Sequence, residues 1–327
     1  MSFPSPVGGL TQPSEFVISV LVCLAFGLLL VLAVIQACQG RGTLAVCATA
    51  GVVIERAISF GLRAAVVKHP HTESEGLSEY LQVTFAMGSV MILGDVMNVL
   101  ACALVQSTKV EGAQVTTFNS GPTSTGSTRS KISGSGMNGN IPEEKQEANQ
   151  QRRKYVRLFG WVQCTVWMLC LAAGFTGNSL LIAKRKNPQW NKVNQALRYT
   201  STGIAFAIAL WLAGATFYWR ARLNNLARRL ALLFCGLLSI PWVYRLCVMH
   251  YTIPALDAHI WGSQNLPAEK ALFYTFHVLP EFILASLMLG AVDVRGVFNT
   301  GAMGGGKGWE GWSKSCGRRL KESYGIH

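Results

Sequence analysis

The sequence predicts an all-α membrane protein: a bundle of seven transmembrane helices, N-terminus outside and C-terminus cytoplasmic. Three observations predict it. Half of the 327 residues are hydrophobic and only 14% are charged, a balance too apolar for a soluble enzyme. The apolar residues gather in runs of about 20 residues, the length that spans the hydrocarbon of a bilayer. The basic residues behind the net charge of +13 lie between those runs, where they set topology. In a soluble domain that charge would suggest nucleic acid, but no recognition module for it is legible.

Met1 to Ser14 carries no Lys or Arg, and Phe16 to Cys38 is then almost unbroken apolar sequence. A secretory signal has a basic start and a shorter apolar core, so this stretch is expected to be a retained first span. After a turn at Gly40-Arg41-Gly42, the second span is expected over about Leu44 to Val67, although it contains Glu55, Arg56 and Arg63. A short loop with His69, His71, Glu73 and Glu75 leads to the third, about Tyr80 to Val105, with Asp95 and Asn98 inside it. Residues 1–106 thus hold spans one to three.

Residues 107–154 differ in kind. They are rich in Ser, Thr, Gly and Asn, too poor in large apolar side chains to offset chain entropy, and are expected to be a disordered cytoplasmic loop. The end of this stretch, from Glu143, turns from acidic to basic and could form a helical lead into the fourth span, about Val156 to Ile182. The fifth span is expected over Tyr199 to Tyr218, the sixth over Leu230 to Met249 and the seventh over Ala271 to Val292, so that residues 155–293 hold spans four to seven. Arg220, Arg222, Arg228 and Arg229 mark a basic connection before the sixth, expected along the membrane surface. A Gly-rich cytoplasmic tail, 294–327, ends the chain, with Trp309, Trp312 and Cys316 as weak inner-leaflet contacts.

The orientation follows from the basic residues. Arg41, the Lys109 to Lys154 group, the four arginines before the sixth span and Arg295 to Lys321 fall on one side; the other holds Lys68 and the cluster Lys184, Arg185, Lys186 and Lys192. The balance puts the N-terminus outside.

The ionisable residues within the spans carry the functional signal. Each costs roughly 2.5–3.5 kcal/mol at a helix centre, so it should face the bundle interior and find a partner. A buried polar cluster of Glu55, Arg56, Arg63, Asp95, Arg245, His277 and Glu281 is expected to join spans two, three, six and seven. Arg63, Arg245 and His277 are expected near the outer third of the membrane, with Glu55, Arg56 and Glu281 nearer its middle. Glu55 or Asp95 would neutralise Arg56, and Arg245 would reach Glu281 or a carbonyl. Pro241 and Pro280 stand beside Arg245 and Glu281 and are candidate hinges. The cluster would equally serve as structural ion pairs or as a ligand, headgroup or proton site.

Other motifs are weaker. Gly134-Ser-Gly136-Met-Asn-Gly139 matches a dinucleotide fingerprint but has no strand before it. Gly301 to Lys307 resembles a phosphate loop but is followed by Gly308 where Ser or Thr should hold magnesium. His250 and His277 could in principle hold a haem, but a lone in-membrane histidine is more often hydrogen-bonded within the bundle. No zinc spacing and no nucleophile with its base is found. No metal, cofactor or enzymatic activity is expected. Ala173/Gly177 and Gly203/Ala207 are small-residue pairs suited to close helix packing.

Pro241-Trp-Val-Tyr-Arg245, a loop without basic residues, Glu269, Tyr274 and Leu279-Pro280-Glu281-Phe282 together resemble the closing half of fungal seven-helix membrane proteins. The pattern is similar to the RTA-like family of lipid-translocating exporters, and closer to a related fungal family of unknown function. Glu55 and Arg63 resemble the Glu and Arg that bracket a Gly-aromatic pair in the RTA-like proteins, although here the spacing is one residue longer and Phe60-Gly61 is inverted. His277 stands where those proteins usually have an acidic residue. The resemblance implies a fungal multi-pass protein concerned with lipid movement or with sterol and drug tolerance. The plasma membrane is the default expectation, since Tyr324-Gly-Ile-His327 is no retrieval signal.

Two functions stay open at this point. One is translocation or binding of membrane lipids or a small amphiphile, with a headgroup in the polar cluster. The other is a receptor-like sensor that signals through the 107–154 loop to a cytosolic partner.

Overall fold

The computed structural model describes residues 3–39, 43–69, 74–106, 143–183, 187–298 and 300. Arg41, the loop with His71 and Glu73, residues 107–142, the cluster Lys184 to Lys186 and the tail with Trp309, Trp312 and Cys316 lie outside the described residues. The chain is an all-α, multi-pass membrane bundle. Its helices are α1 (Phe16–Cys38), α2 (Cys47–Lys68), α3 (Glu75–Gln106), α4 (Glu143–Ala183), α5 (Pro188–Tyr218) and α6 (Asn225–Val248), followed by α7 (Pro267–Phe273), α8 (Leu279–Ser286) and α9 (Val294–Phe298). A π turn over Tyr274–Val278 joins α7 to α8, and a second, Leu287–Ala291, follows α8. These pieces make one continuous helix over Pro267–Ala291.

Among the described residues, six helices are long and apolar enough to cross a membrane: the runs at α1, α3, α4, α5, α6 and Pro267–Ala291. The 22-residue α2, which carries Glu55, Arg56, Arg63 and Lys68, is too charged to stand among them by composition. It nevertheless packs against α1 and α3 inside the same bundle.

Position in the bundle follows composition. The most apolar part of α3 is 78% buried, against 17% for α1 and for α4, so α3 is the central post and the other two are peripheral. The sequence of α3 suits that place, because Gly88, Ser89 and Gly94 let neighbours approach its backbone. A Cβ at Gly94 would lie 2.7 Å from the Trp167 ring, whose Nε1–H donates to Val90 O at 2.8 Å. On α1 the exposed residues include Val17, Leu21, Leu24, Leu28 and Val31, as a lipid-facing surface requires. At the α4–α5 contact a Cβ on Gly177 would stand 3.0 Å from Leu197 Cβ, so that small residue sets the helix separation.

Three helices start earlier than their apolar sequence implies. Helix α4 takes in the lead from Glu143. Helix α5 begins at Pro188, where Asn187 caps it by accepting from Gln189 N at 3.0 Å, so Arg198 lies within the helix. Helix α6 begins at Asn225 and incorporates Arg228 and Arg229, which are therefore not part of a surface connection. Good N-caps and a proline at the first helical position outweigh hydropathy as start signals.

One end of the bundle carries a roof. Residues 3–12 fold back over the helix ends, and Phe3–Pro4 pairs antiparallel with Thr252–Ile253 of the α6–α7 loop. Both Gly8 and Gly9 adopt positive φ, 76° and 56°, which turns the segment down toward α2 and the last helix. A side chain at Gly9 would overlap the Gln264 carbonyl. Asn265 ties the roof together: its Nδ2 donates to Leu256 O (2.7 Å) and Ala258 O (3.0 Å), while its Oδ1 accepts from Leu10 N (3.0 Å).

Candidate functional site

The interior polar groups are organised by three consecutive backbone carbonyls of α3. Successive residues of a helix turn by about 100°, so the carbonyls of Thr84, Phe85 and Ala86 address three different neighbours. Thr84 O accepts from Arg56 Nη1 of α2 at 3.0 Å. Phe85 O accepts from His277 Nε2 in the last helix at 3.0 Å. Ala86 O accepts from Arg245 Nη1 of α6 at 2.7 Å. Arg56, Arg245 and His277 are wholly buried, and Glu281 is 1% exposed.

The two sides of this belt are satisfied differently. Arg56 is saturated: Nε and Nη2 both donate to Glu281 Oε2, at 2.8 and 2.7 Å, and Nη1 also reaches Glu55 Oε2 at 3.0 Å. Glu55 in turn accepts from Ser59. A Cβ at Gly88 would overlap the Arg56 guanidinium, so only glycine leaves room for it. Arg245, in contrast, has the Ala86 carbonyl and no carboxylate within ion-pair distance among the described residues, and its Nε and Nη2 are unused. The same holds for His277 Nδ1 and Glu281 Oε1. His277 Nε2 and Glu281 Oε1 stand 3.9 Å apart, one helical turn from each other.

The π turn sets this geometry. Pro280 has no N–H to continue the α ladder, and Leu279 N bonds instead to Tyr274 O, five residues back. The widened turn carries His277 toward α3. Pro241 lies inside α6 without interrupting it, one turn from Arg245.

A second cluster lies nearer the roof. Arg63 Nη2 donates to both oxygens of Glu15, at 2.9 and 3.0 Å, and Lys270 Nζ stands 3.0 Å from Glu15 Oε2. Tyr274 Oη donates to Glu15 Oε1 at 3.2 Å. An aromatic layer separates the two clusters: Phe85 packs edge-on against Phe273 (5.1 Å between centroids) and at a tilt against Phe60 (5.6 Å), and Phe273 stacks on His277 at 5.4 Å. Phe85 also has a guanidinium at 5.2 Å (Arg56) and another at 5.6 Å (Arg63).

The structure thus brings Glu55, Arg56, Arg245, His277 and Glu281 together around α3. Arg63 belongs to the roof cluster, one aromatic layer away from Arg245 and His277. Asp95 does not meet Arg56 either. It accepts from the backbone N and Oγ1 of Thr49, at 2.5 and 2.7 Å, and so holds the start of α2 against α3. Arg245 reaches a carbonyl, not Glu281.

Among the described residues, four buried charged side chains lie outside the expected cluster: Glu15, Arg198, Glu269 and Lys270, none more than 5% exposed. Arg198 Nη2 donates to Ser5 O at 2.9 Å, and its Nε and Nη1 have no partner. All four stand at or before the edge of an apolar run, where a charge usually marks a boundary. For Arg198, Glu269 and Lys270 the available signal was the cap chemistry, Asn187-Pro188 and Leu266-Pro267, which moves the helix starts ahead of them.

No protein-family profile, curated protein or solved structure matches the chain. The class defined by fold and site is therefore that of a multi-pass helical membrane protein with a polar interior.

Proposed function

We propose that the chain is a seven-span protein of the plasma membrane, with α2 as the seventh span, that binds the headgroup of a lipid or other amphiphile in its polar belt and lets it cross. The single observation that carries this reading is the half-satisfied belt: Arg245, His277 and Glu281 are buried at the centre of the bundle with four polar atoms unused. Intramembrane ionisable groups in that state mark substrate pathways. A headgroup bearing both charge and hydroxyls matches a set that offers guanidinium donors, an imidazole nitrogen and a carboxylate oxygen.

The burial of α2 in the bundle supports its counting as a span, since its charges turn to Glu281, Glu15 and α3. The basic balance of the loops supports an outside roof and a cytoplasmic C-terminus. The resemblance of Pro241 to Arg245 and of Leu279 to Phe282 to lipid-translocating exporters points the same way. On this reading the protein performs no covalent chemistry. The test is reconstitution in liposomes with fluorescent phospholipids: scrambling is expected in the wild type and lost in Arg245→Ala, and its absence in both overturns the proposal.

A further inference from the structure

The roof cluster holds more positive than negative charge. Arg63 and Lys270 face one carboxylate, Glu15, and Arg198 has none within ion-pair distance among the described residues. What these cations bind besides Glu15 is a row of backbone carbonyls from residues 3–12. Gly8 O accepts from both Lys270 Nζ (2.7 Å) and Arg63 Nη2 (3.2 Å), Leu10 O accepts from Lys270 and Ser5 O from Arg198.

An oxygen held between a guanidinium and an ammonium is the environment of an anion, here filled by a neutral amide. Arg63 has Nε and Nη1 still unpartnered, so a two-oxygen anion would gain a bidentate contact that one carbonyl cannot supply. Arg63, Lys270 and Arg198 outnumber Glu15 and the buried Glu269, whose oxygens are spent on Gly262 N and Leu266 N, by one charge; an added monoanion would neutralise it, and the carbonyl does not.

The segment has a small apolar anchor, Phe3 and Val7 in the core, and its remaining attachments are exchangeable hydrogen bonds: the two-residue pairing with Thr252–Ile253, Ser5 N to Tyr251 O (3.0 Å), the reciprocal pair between Val7 and the Gln82 amide (2.8 and 3.0 Å) and the Asn265 contacts. A cleft runs beside it, lined by Gly9, Leu10, Thr11, Ser78, Gln82 and Leu256.

We infer that residues 3–12 are a built-in occupant of an anion site formed by Arg63 and Lys270, with Arg198 as a second anchor. A phosphate or carboxylate group displaces the Gly8 carbonyl to bind there. This deepens the reading above by naming the headgroup class and the place where it first meets the protein. While the segment is seated, apparent affinity is reduced by the fraction of time the site is open.

The test uses the full chain in phosphatidylcholine nanodiscs, with soluble dihexanoyl phosphatidic acid and inorganic phosphate as probes. Pro4→Cys with Thr252→Cys, opposed in the β pairing, locks the segment by a disulfide. Oxidation is expected to weaken probe binding by about tenfold or more and reduction to restore it. Gln82→Ala loosens the segment without touching a cation and is expected to tighten binding by about tenfold, while Arg63→Gln abolishes it. Binding of the lipid alone identifies a headgroup as the ligand; equal binding of phosphate identifies a free anion.

Equal affinity in the locked and reduced protein, no tightening in Gln82→Ala, or no binding of either probe overturns the inference. Lock-sensitive anion binding without lipid scrambling overturns only the transport reading. Scrambling of anionic lipid that ignores the lock overturns only this one.

Discussion

Arg56 and Arg245 lie on two sides of the same helix, equally buried, and each donates to an α3 carbonyl. Their surroundings are opposite. Arg56 spends Nε and both Nη atoms on two carboxylates and a carbonyl, whereas Arg245 spends one nitrogen on one carbonyl. A saturated buried pair costs several kcal/mol to break, yet replacing it whole by apolar residues is often neutral. An under-satisfied one lowers stability and persists only for a reason other than stability. The α2 side of the belt is thus the lock of the bundle, and the α6 side is the part with polar atoms to spare.

The largest effect that would break this comparison is on the α2 side. Glu281→Leu leaves Arg56 with Glu55 as its one carboxylate and is expected to destabilise by about 3–5 kcal/mol, read as denaturant unfolding in detergent. Adding Arg56→Met should recover most of that loss, because the unpaired charge goes too; a double-mutant cycle measures the coupling. Additive losses would show that the pair is not the lock.

Gly88→Ala is expected to cost roughly 1–3 kcal/mol by pushing the guanidinium off its partners. Arg245→Met should change stability by no more than about 1 kcal/mol, in either direction, while abolishing scrambling. A loss as large as that of Glu281→Leu would erase the distinction between the two sides. The smallest effect is expected at Gly203, where a Cβ would meet open space: Gly203→Ala should stabilise α5 by about 1 kcal/mol through helix propensity.

Much of the belt was legible because a charge inside an apolar run is expensive, so Arg56, Arg245 and Glu281 stand out in any reading of the chain. Their partners were less so. The three α3 carbonyls have no side-chain signature, and Thr84-Phe-Ala86 reads as ordinary span sequence. Asp95 is legible as a polar intrusion but not as a partner of Thr49, since two polar residues on different helices carry no record of register. Glu15 and Lys270 become buried because residues 3–12 close over them, and that segment has neither periodicity nor charge to announce a fold. Arg63 illustrates the same limit: its depth was estimable, but a guanidinium several atoms long chooses its layer by its partners.

The π turn at Tyr274–Val278 has a consequence for how the two polar layers relate. A π turn holds one residue more than the α winding around it, so it rotates everything before it relative to everything after. Lys270 precedes that added residue and answers to the roof; Glu281 follows it and answers to α3 and Arg56. The last helix therefore acts as a phase adjuster between two rings of charge, and a chain one residue shorter there could match either ring but not both.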